Sequence, residues 1–236
     1  MHARKLLVLI LSVTFVTSCT VSRVKESASL PNVLIIGDSI SIGYTKPLQT
    51  ILKGKAQVFH NSKNALDTAT GVKNLDKWLG TNKWDVIHFN HGLHDMIQGY
   101  RGKNGRYVAT HSGKSFIPID QYKSNLEKIV QRLKRTGASL IFATTTPIPA
   151  GTRLWKKGYE KEYNKVAAEI MKRNKIEIND LHAFVVPRQR WFQSPGNVHF
   201  LGNVHFNANG SQALAYEVMK HILRGIDQTK NPPDKK

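Results

Sequence analysis

From Asn32 onward, short apolar runs alternate with stretches whose apolar residues recur every three or four positions. The runs cover 32–36, 56–60, 84–90, 139–145 and 176–180. They read as strands, and Val33-Leu34-Ile35-Ile36, four apolar residues in a row, as one buried on both faces. Between them, Tyr122, Leu126, Ile129, Val130 and Leu133 share one helical face behind Asp120, which can cap it, and the pattern ends near Gly137. Tyr163, Val166, Ala167 and Ile170 make a second stripe. Leu214, Val218 and Ile222 make a third, which starts near Asn207 and stops before Gly225. Five strands separated by helices predict an α/β fold, a five-stranded parallel sheet with helices on both faces.

The two ends of the chain lack this patterning. Arg4 and Lys5 precede an apolar stretch from Leu6 to Val16, followed by Thr17, Ser18 and Cys19. A basic start, a short apolar stretch and small residues describe a signal peptide over 1–18, too short to serve as a permanent span. Val16-Thr17-Ser18-Cys19 resembles a bacterial lipobox, which implies lipidation at Cys19 and attachment to a membrane through that lipid. The expected location is the cell envelope, outer membrane or periplasm, with Thr20 after the cysteine favouring the outer membrane. Residues 19–31 read as a tether, 32–226 as one domain and 227–236 as a disordered tail. Cys19 is the sole cysteine, so an intramolecular disulfide is excluded.

Charge narrows the partners. Lys and Arg number 35 against 16 Asp and Glu, for a net charge of +19. Such a surface favours anions. In an exported protein these are acidic or sulfated glycans or lipid headgroups, and nucleic acid is not expected. The cations are scattered through 101–106, 153–161 and 172–175, so a merely solvated surface stays open as a reading. Ten histidines occur without a Cys cluster or a His-Glu-x-x-His pattern, and no metal or other cofactor is implied.

The candidate chemistry begins at the first strand. Val33-Leu34-Ile35-Ile36 ends at Gly37-Asp38-Ser39, which sets Ser39 at the carboxyl end of a strand, where α/β sheets bind ligands. Acyl transfer needs a nucleophile, a base and donors for an oxyanion. Ser39 can be the first and His205, just ahead of the last helix, the second. Donors can come from the backbone at Gly71, read as part of a Thr70-Gly71 turn, and from the loop Gly92-Leu93-His94-Asp95. Gly196-Asn197-Val198-His199-Phe200 is repeated as Gly202-Asn203-Val204-His205-Phe206, which makes His199 a second candidate base. Register with the following helix favours His205.

Taken in order, these segments resemble the SGNH (GDSL) hydrolases over residues 32–225, and most of all an exported bacterial branch with Gly-Leu-His-Asp and Asn-Val-His-Phe variants. The resemblance implies a flavodoxin-like three-layer sandwich and metal-free ester hydrolysis. It makes Ser39 the nucleophile, His205 the base, and Ser39, Gly71 and His94 the oxyanion hole. Two positions depart from the family pattern. His94 stands where an asparagine is usual, with Asn90 a weaker substitute, and Gly202 stands where an aspartate usually orients the histidine. Asn203 can orient an imidazole but brings no charge; Asp180 is a further carboxylate to consider. The expected function is a serine ester hydrolase that removes O-acyl groups, acetyl foremost, from a glycan, with an acylated glycan or small ester as substrate. A lysophospholipase or thioesterase and a catalytically weakened binder of anionic envelope polymer are the alternatives. Specificity is expected in the glycine-rich loop 97–118. The pattern carries no signal for an oligomeric state.

Overall fold

The computed structural model describes residues 29–109, 114–189, 193 and 202–230. The segment expected to be a signal peptide, Cys19 and most of the expected tether therefore lie outside the described residues.

Five parallel strands form the central sheet: β1 (Asn32–Ile36), β2 (Gln57–His60), β3 (Val86–Phe89), β6 (Ser139–Ala143) and β7 (Glu177–Asn179), in the order β2-β1-β3-β6-β7. Each lies inside a run read from the sequence. Side chains along β1 alternate between two cores. Leu34 and Ile36 join Ile87, Phe89 and Phe142 on one face. Val33 and Ile35 join Val86, Ile141 and Ala143 on the other. Both faces are covered by helices, so the central strand β1 is apolar from Val33 to Ile36, whereas the edge strands β2 and β7 carry polar residues. The first core is closed by α2 (Thr68–Leu79), α3 (Ile119–Lys134) and α4 (Tyr159–Arg173). The second is closed by α1 (Ser39–Ile51), the short α5 (Leu181–Val185) and α6 (Ala208–Lys230). This is the flavodoxin-like α/β sandwich.

Several elements differ from the sequence reading. Thr70 and Gly71 belong to α2 and not to a turn. Asp120 sits in the first turn of α3, whose cap is Pro118. Helix α6 runs through Gly225 to Lys230, so residues 227–230 are ordered helix and not tail. A Cβ on Gly225 would come within 3.1 Å of Ser139 Oγ and 3.3 Å of Ile141 and Val86. Here glycine permits close packing of helix on sheet and does not end the helix. Within 97–118, a two-stranded antiparallel hairpin, β4 (Gly99–Arg101) with β5 (Tyr107–Ala109), replaces the expected loop.

The chain leaves β1 toward β2 on one side and returns to β3 on the other. Between β1 and β3 the strand order reverses, and the loops there diverge to open a crevice. Ser39 follows β1 and His94 follows β3, one on each side of that crevice.

Candidate active site

Ser39 is the first residue of α1. Asp38 caps the helix, its carboxylate accepting the Ile40 N–H at 2.9 Å. A first-turn N–H has no acceptor within its own helix, so the Ser39 N–H points out at the positive end of the helix dipole. The turn before it is braced by Asn61, whose side-chain oxygen accepts the Gly37 N–H at 2.9 Å, and by the Ala65 N–H, which donates to Gly37 O at 3.0 Å.

His205 arrives from the far end of the domain. Its loop straddles the end of the sheet, with Val204 buried in one core and Phe206 packed on the other. Asn207 then caps α6 by accepting the Gly210 N–H at 2.8 Å. His205 Nε2 lies 3.0 Å from Ser39 Oγ, and its Nδ1 lies 2.9 Å from Asn203 Oδ1. The same oxygen accepts the His205 backbone N–H at 3.0 Å. A backbone N–H can only donate, so this contact identifies the Asn203 atom as oxygen. Nδ1 must then carry the ring proton, and the Nε2 lone pair faces the serine hydroxyl. That is the tautomer a general base requires.

A second Ser–His contact lies nearby. Ser41 Oγ is 2.7 Å from His60 Nε2 and donates to Asp38 O at 2.7 Å. Ser41 is 3% exposed, whereas Ser39 and His205 meet at the surface. Only the Ser39 pair can meet a substrate.

Of the expected oxyanion donors, His94 is at the site and Gly71 is not. The Gly71 N–H donates to Asp67 O at 3.0 Å inside α2. A Cβ there would fall 2.8 Å from the His91 ring, so glycine serves packing against His91. His94 packs against Tyr107 with the rings tilted at 49° and their centroids 5.5 Å apart. Burial holds its pKa below the ordinary histidine range, against the pull of Asp38 and Asp67 and with the help of Arg101 and His205. The ring is therefore neutral. Its Nδ1 is buried without a partner, which favours the proton on Nε2. Asn90 is committed elsewhere, its amide donating to Ala143 O at 2.7 Å. Asp180 caps α5 and bonds Thr144, taking no part at His205. His199 lies outside the described residues.

A side chain at position 202 is ruled out by packing. The Gly202 N–H donates to Gly151 O at 3.3 Å, and a Cβ would sit 2.2 Å from Ala150 O. The orienting group is therefore supplied by residue 203.

Three supporting groups escaped the sequence reading. Asn61 opens a polar Asn-Ser-Lys-Asn cluster after β2, a turn signal that could have revealed it. Asp67 caps α2 through Thr70 N–H at 2.8 Å, and Asp-Thr at a helix start was legible too. Asp95 is fully buried, accepts from Thr68 N–H at 2.9 Å and from its hydroxyl, and ties the His94 loop to α2. Burial pushes its carboxyl up to about 8. Nothing in the sequence marks that partner.

A hydroxyl, an imidazole in the basic tautomer and a carbonyl oxygen stand in line, with backbone and imidazole N–H groups beside them. This arrangement can carry acyl transfer. The model of the GDSL-like lipase/acylhydrolase family matches residues 35–213. Among solved structures, a lipase/acylhydrolase from Enterococcus faecalis is 20% identical, with 82% of this chain and 95% of that one covered at a TM-score of 0.63. An acetylxylan esterase from Geobacillus stearothermophilus is 15% identical over 81% and 94%, at 0.61. Another acetyl xylan esterase is 16% identical over 81% and 99%, also at 0.61. At such identities the likeness is one of fold. No curated protein sequence matches the chain.

Proposed function

Because this chain belongs to the GDSL-like lipase/acylhydrolase family and is a carboxylic ester hydrolase, we propose that it removes acetyl groups from a glycan through Ser39, His205 and Asn203. The observation that carries this reading is the relay Ser39 Oγ to His205 Nε2 at 3.0 Å, with Nδ1 held by Asn203 at 2.9 Å.

Ser39 Oγ attacks the ester carbonyl while His205 Nε2 takes its proton. The carbonyl oxygen, now negative, is met by the Ser39 N–H and by the neutral His94 ring. Collapse breaks the ester bond and expels the alcohol, which receives the proton from His205. Water, deprotonated by the same imidazole, then cleaves the acyl-serine and frees the acid. Asn203 keeps the imidazole in the basic tautomer but offers the imidazolium no charge. Removing an oxyanion donor costs on the order of 10²–10³ in rate, so His94 is expected to matter.

The acetylxylan esterases of similar fold support acetyl as the acyl group. The basic export-like segment ending at Cys19 supports a site of action in the cell envelope.

The test is hydrolysis of p-nitrophenyl esters from acetate to octanoate. Acetate is expected to be preferred, with Ser39→Ala and His205→Ala each losing about 10³-fold or more of kcat/KM. A fluorophosphonate should label Ser39 and leave Ser41 unmodified. Undiminished activity in Ser39→Ala would overturn the mechanism, and a preference for octanoate would overturn the acetyl assignment.

A further inference from the structure

The cations that look scattered in the sequence meet at the rim of this site. Hairpin β4–β5 carries Arg101, Lys103 and Arg106, all exposed, and no acidic residue occurs from Gln98 to Ala109. Segment 150–159 carries Arg153, Lys156 and Lys157, also exposed and also without an acid. The two are joined where the Gln98 N–H donates to Leu154 O at 2.8 Å. From there the rim continues to the His205 loop through the Gly202 N–H bond to Gly151 O. On the other side, the Trp155 indole donates to Leu93 O at 2.7 Å, next to His94.

The hairpin is docked on the site. The Tyr107 ring packs at a tilt against His94, and its hydroxyl donates to Asp67 at 3.4 Å. Arg101 lies over the Tyr107 ring at 5.9 Å and donates to Gly105 O, which fixes its guanidinium. Its charge reaches His94, where it helps to hold the pKa down.

Among the described residues, Arg101, Lys103, Arg106, Lys156 and Lys157 have no carboxylate within ion-pair distance. Unneutralised cations held on folded elements around a nucleophile form a field that concentrates anions there.

Resting on the esterase reading above, we infer that the hairpin and segment 150–159 form a collar that binds an anionic polysaccharide and presents its acyl esters to Ser39. The guanidinium of Arg101 matches a carboxylate or sulfate with two parallel hydrogen bonds, and the lysines add point charges along the chain of the polymer. A polymer with a charge on each residue can meet several of these cations at once, which a small neutral ester cannot do.

The test separates binding from catalysis. The full-length Ser39→Ala protein is titrated with polygalacturonate, dextran sulfate and neutral xylan of similar length. At least one of the two anionic polymers is expected to bind, the tighter one identifying the preferred anion, with neutral xylan much weaker. Raising NaCl from about 50 to about 500 mM should weaken the anionic complex by about tenfold or more. The combined R101Q/K103Q/R106Q variant should lose about tenfold in affinity, and K53Q/K55Q/K83Q, the same charge change at the opposite end of the sheet, should lose little. Equal loss in both variants, or equal binding of xylan, would overturn the collar. Loss of the esterase reading would show separately, as p-nitrophenyl acetate hydrolysis that survives Ser39→Ala, and would leave the binding result standing.

Discussion

Asn203 holds His205 through one oxygen that accepts two hydrogen bonds, and Gly202 beside it has no room for a side chain. These two residues predict opposite outcomes for two attempts to add a carboxylate. Asn203→Asp keeps both bonds and adds a charge facing the imidazolium, so kcat/KM on p-nitrophenyl acetate should rise by roughly tenfold. The gain should stay below the ~10⁴ seen when aspartate is lost from a protease triad, because the tautomer here is already correct. Gly202→Asp drives a Cβ into Ala150 O, so it should lower both activity and melting temperature, at a cost of about 1–3 kcal/mol. If Gly202→Asp were the activating change, the assignment of Asn203 as orienter would fail. Ser39, His205 and Asn203 were legible in the sequence because each relation is local, a serine at a strand end or an Asn two residues before a His. Gly71 was misread for want of one fact. Its N–H is used inside a helix, and only the folded backbone shows that.

At the level of elements, α1 both carries Ser39, the proposed nucleophile, and supplies its unpaired N–H, and Asp38 fixes where that helix begins. Asp38→Ala is expected to cost about 1 kcal/mol in urea unfolding. It should lower kcat more than it raises KM, since the first turn that aims Ser39 frays. Asp38→Asn, which can still cap, should recover most of the stability. A variant that loses stability while keeping full kcat would show that the cap does not aim the serine. The strands were legible because each is a short run rich in apolar residues between helical stretches, continuous in β1 and broken by polar residues in the edge strands β2 and β7. Helix α2 was not, because Thr-Ala-Thr-Gly imitates a turn until Leu75, Trp78 and Leu79 are seen packed in one core. The hairpin was missed for a related reason. Two three-residue strands among glycines have too short a period to register, and their docking depends on Tyr107 meeting His94 across the fold.

Over the whole molecule, buried titratable groups set the response to pH. Burial lowers His60, His88, His91 and His94, with His91 down to about 4 and His88 to about 3. The unfolded chain takes up protons at these residues below about pH 6.5 while the native state does not, so stability falls as pH drops from there. Asp95 acts in the other direction. Raised to about 8, it keeps a proton that the unfolded chain releases above about pH 4, so its contribution falls as pH rises through that window. Four half-protonated histidines still outweigh one aspartate at about pH 6.5, and the two terms balance near about pH 7, above which Asp95 dominates. The urea midpoint should therefore peak near pH 7 and decline toward pH 8, and Asp95→Asn should flatten that decline. The same upper slope in both proteins would rule out Asp95 as its source.

The sequence by itself determined the α/β class, the five strands, the strand-end turn that carries Ser39 and the pairing of His205 with Asn203. All of these are written in periodicity or in residues a few positions apart. Tertiary structure decided which N–H groups are already used, why position 202 must be glycine, and that cations about 50 residues apart line one rim. Such facts follow from strand order and from which surfaces pack together. Those depend on contacts between distant segments, and no local pattern in the chain encodes them.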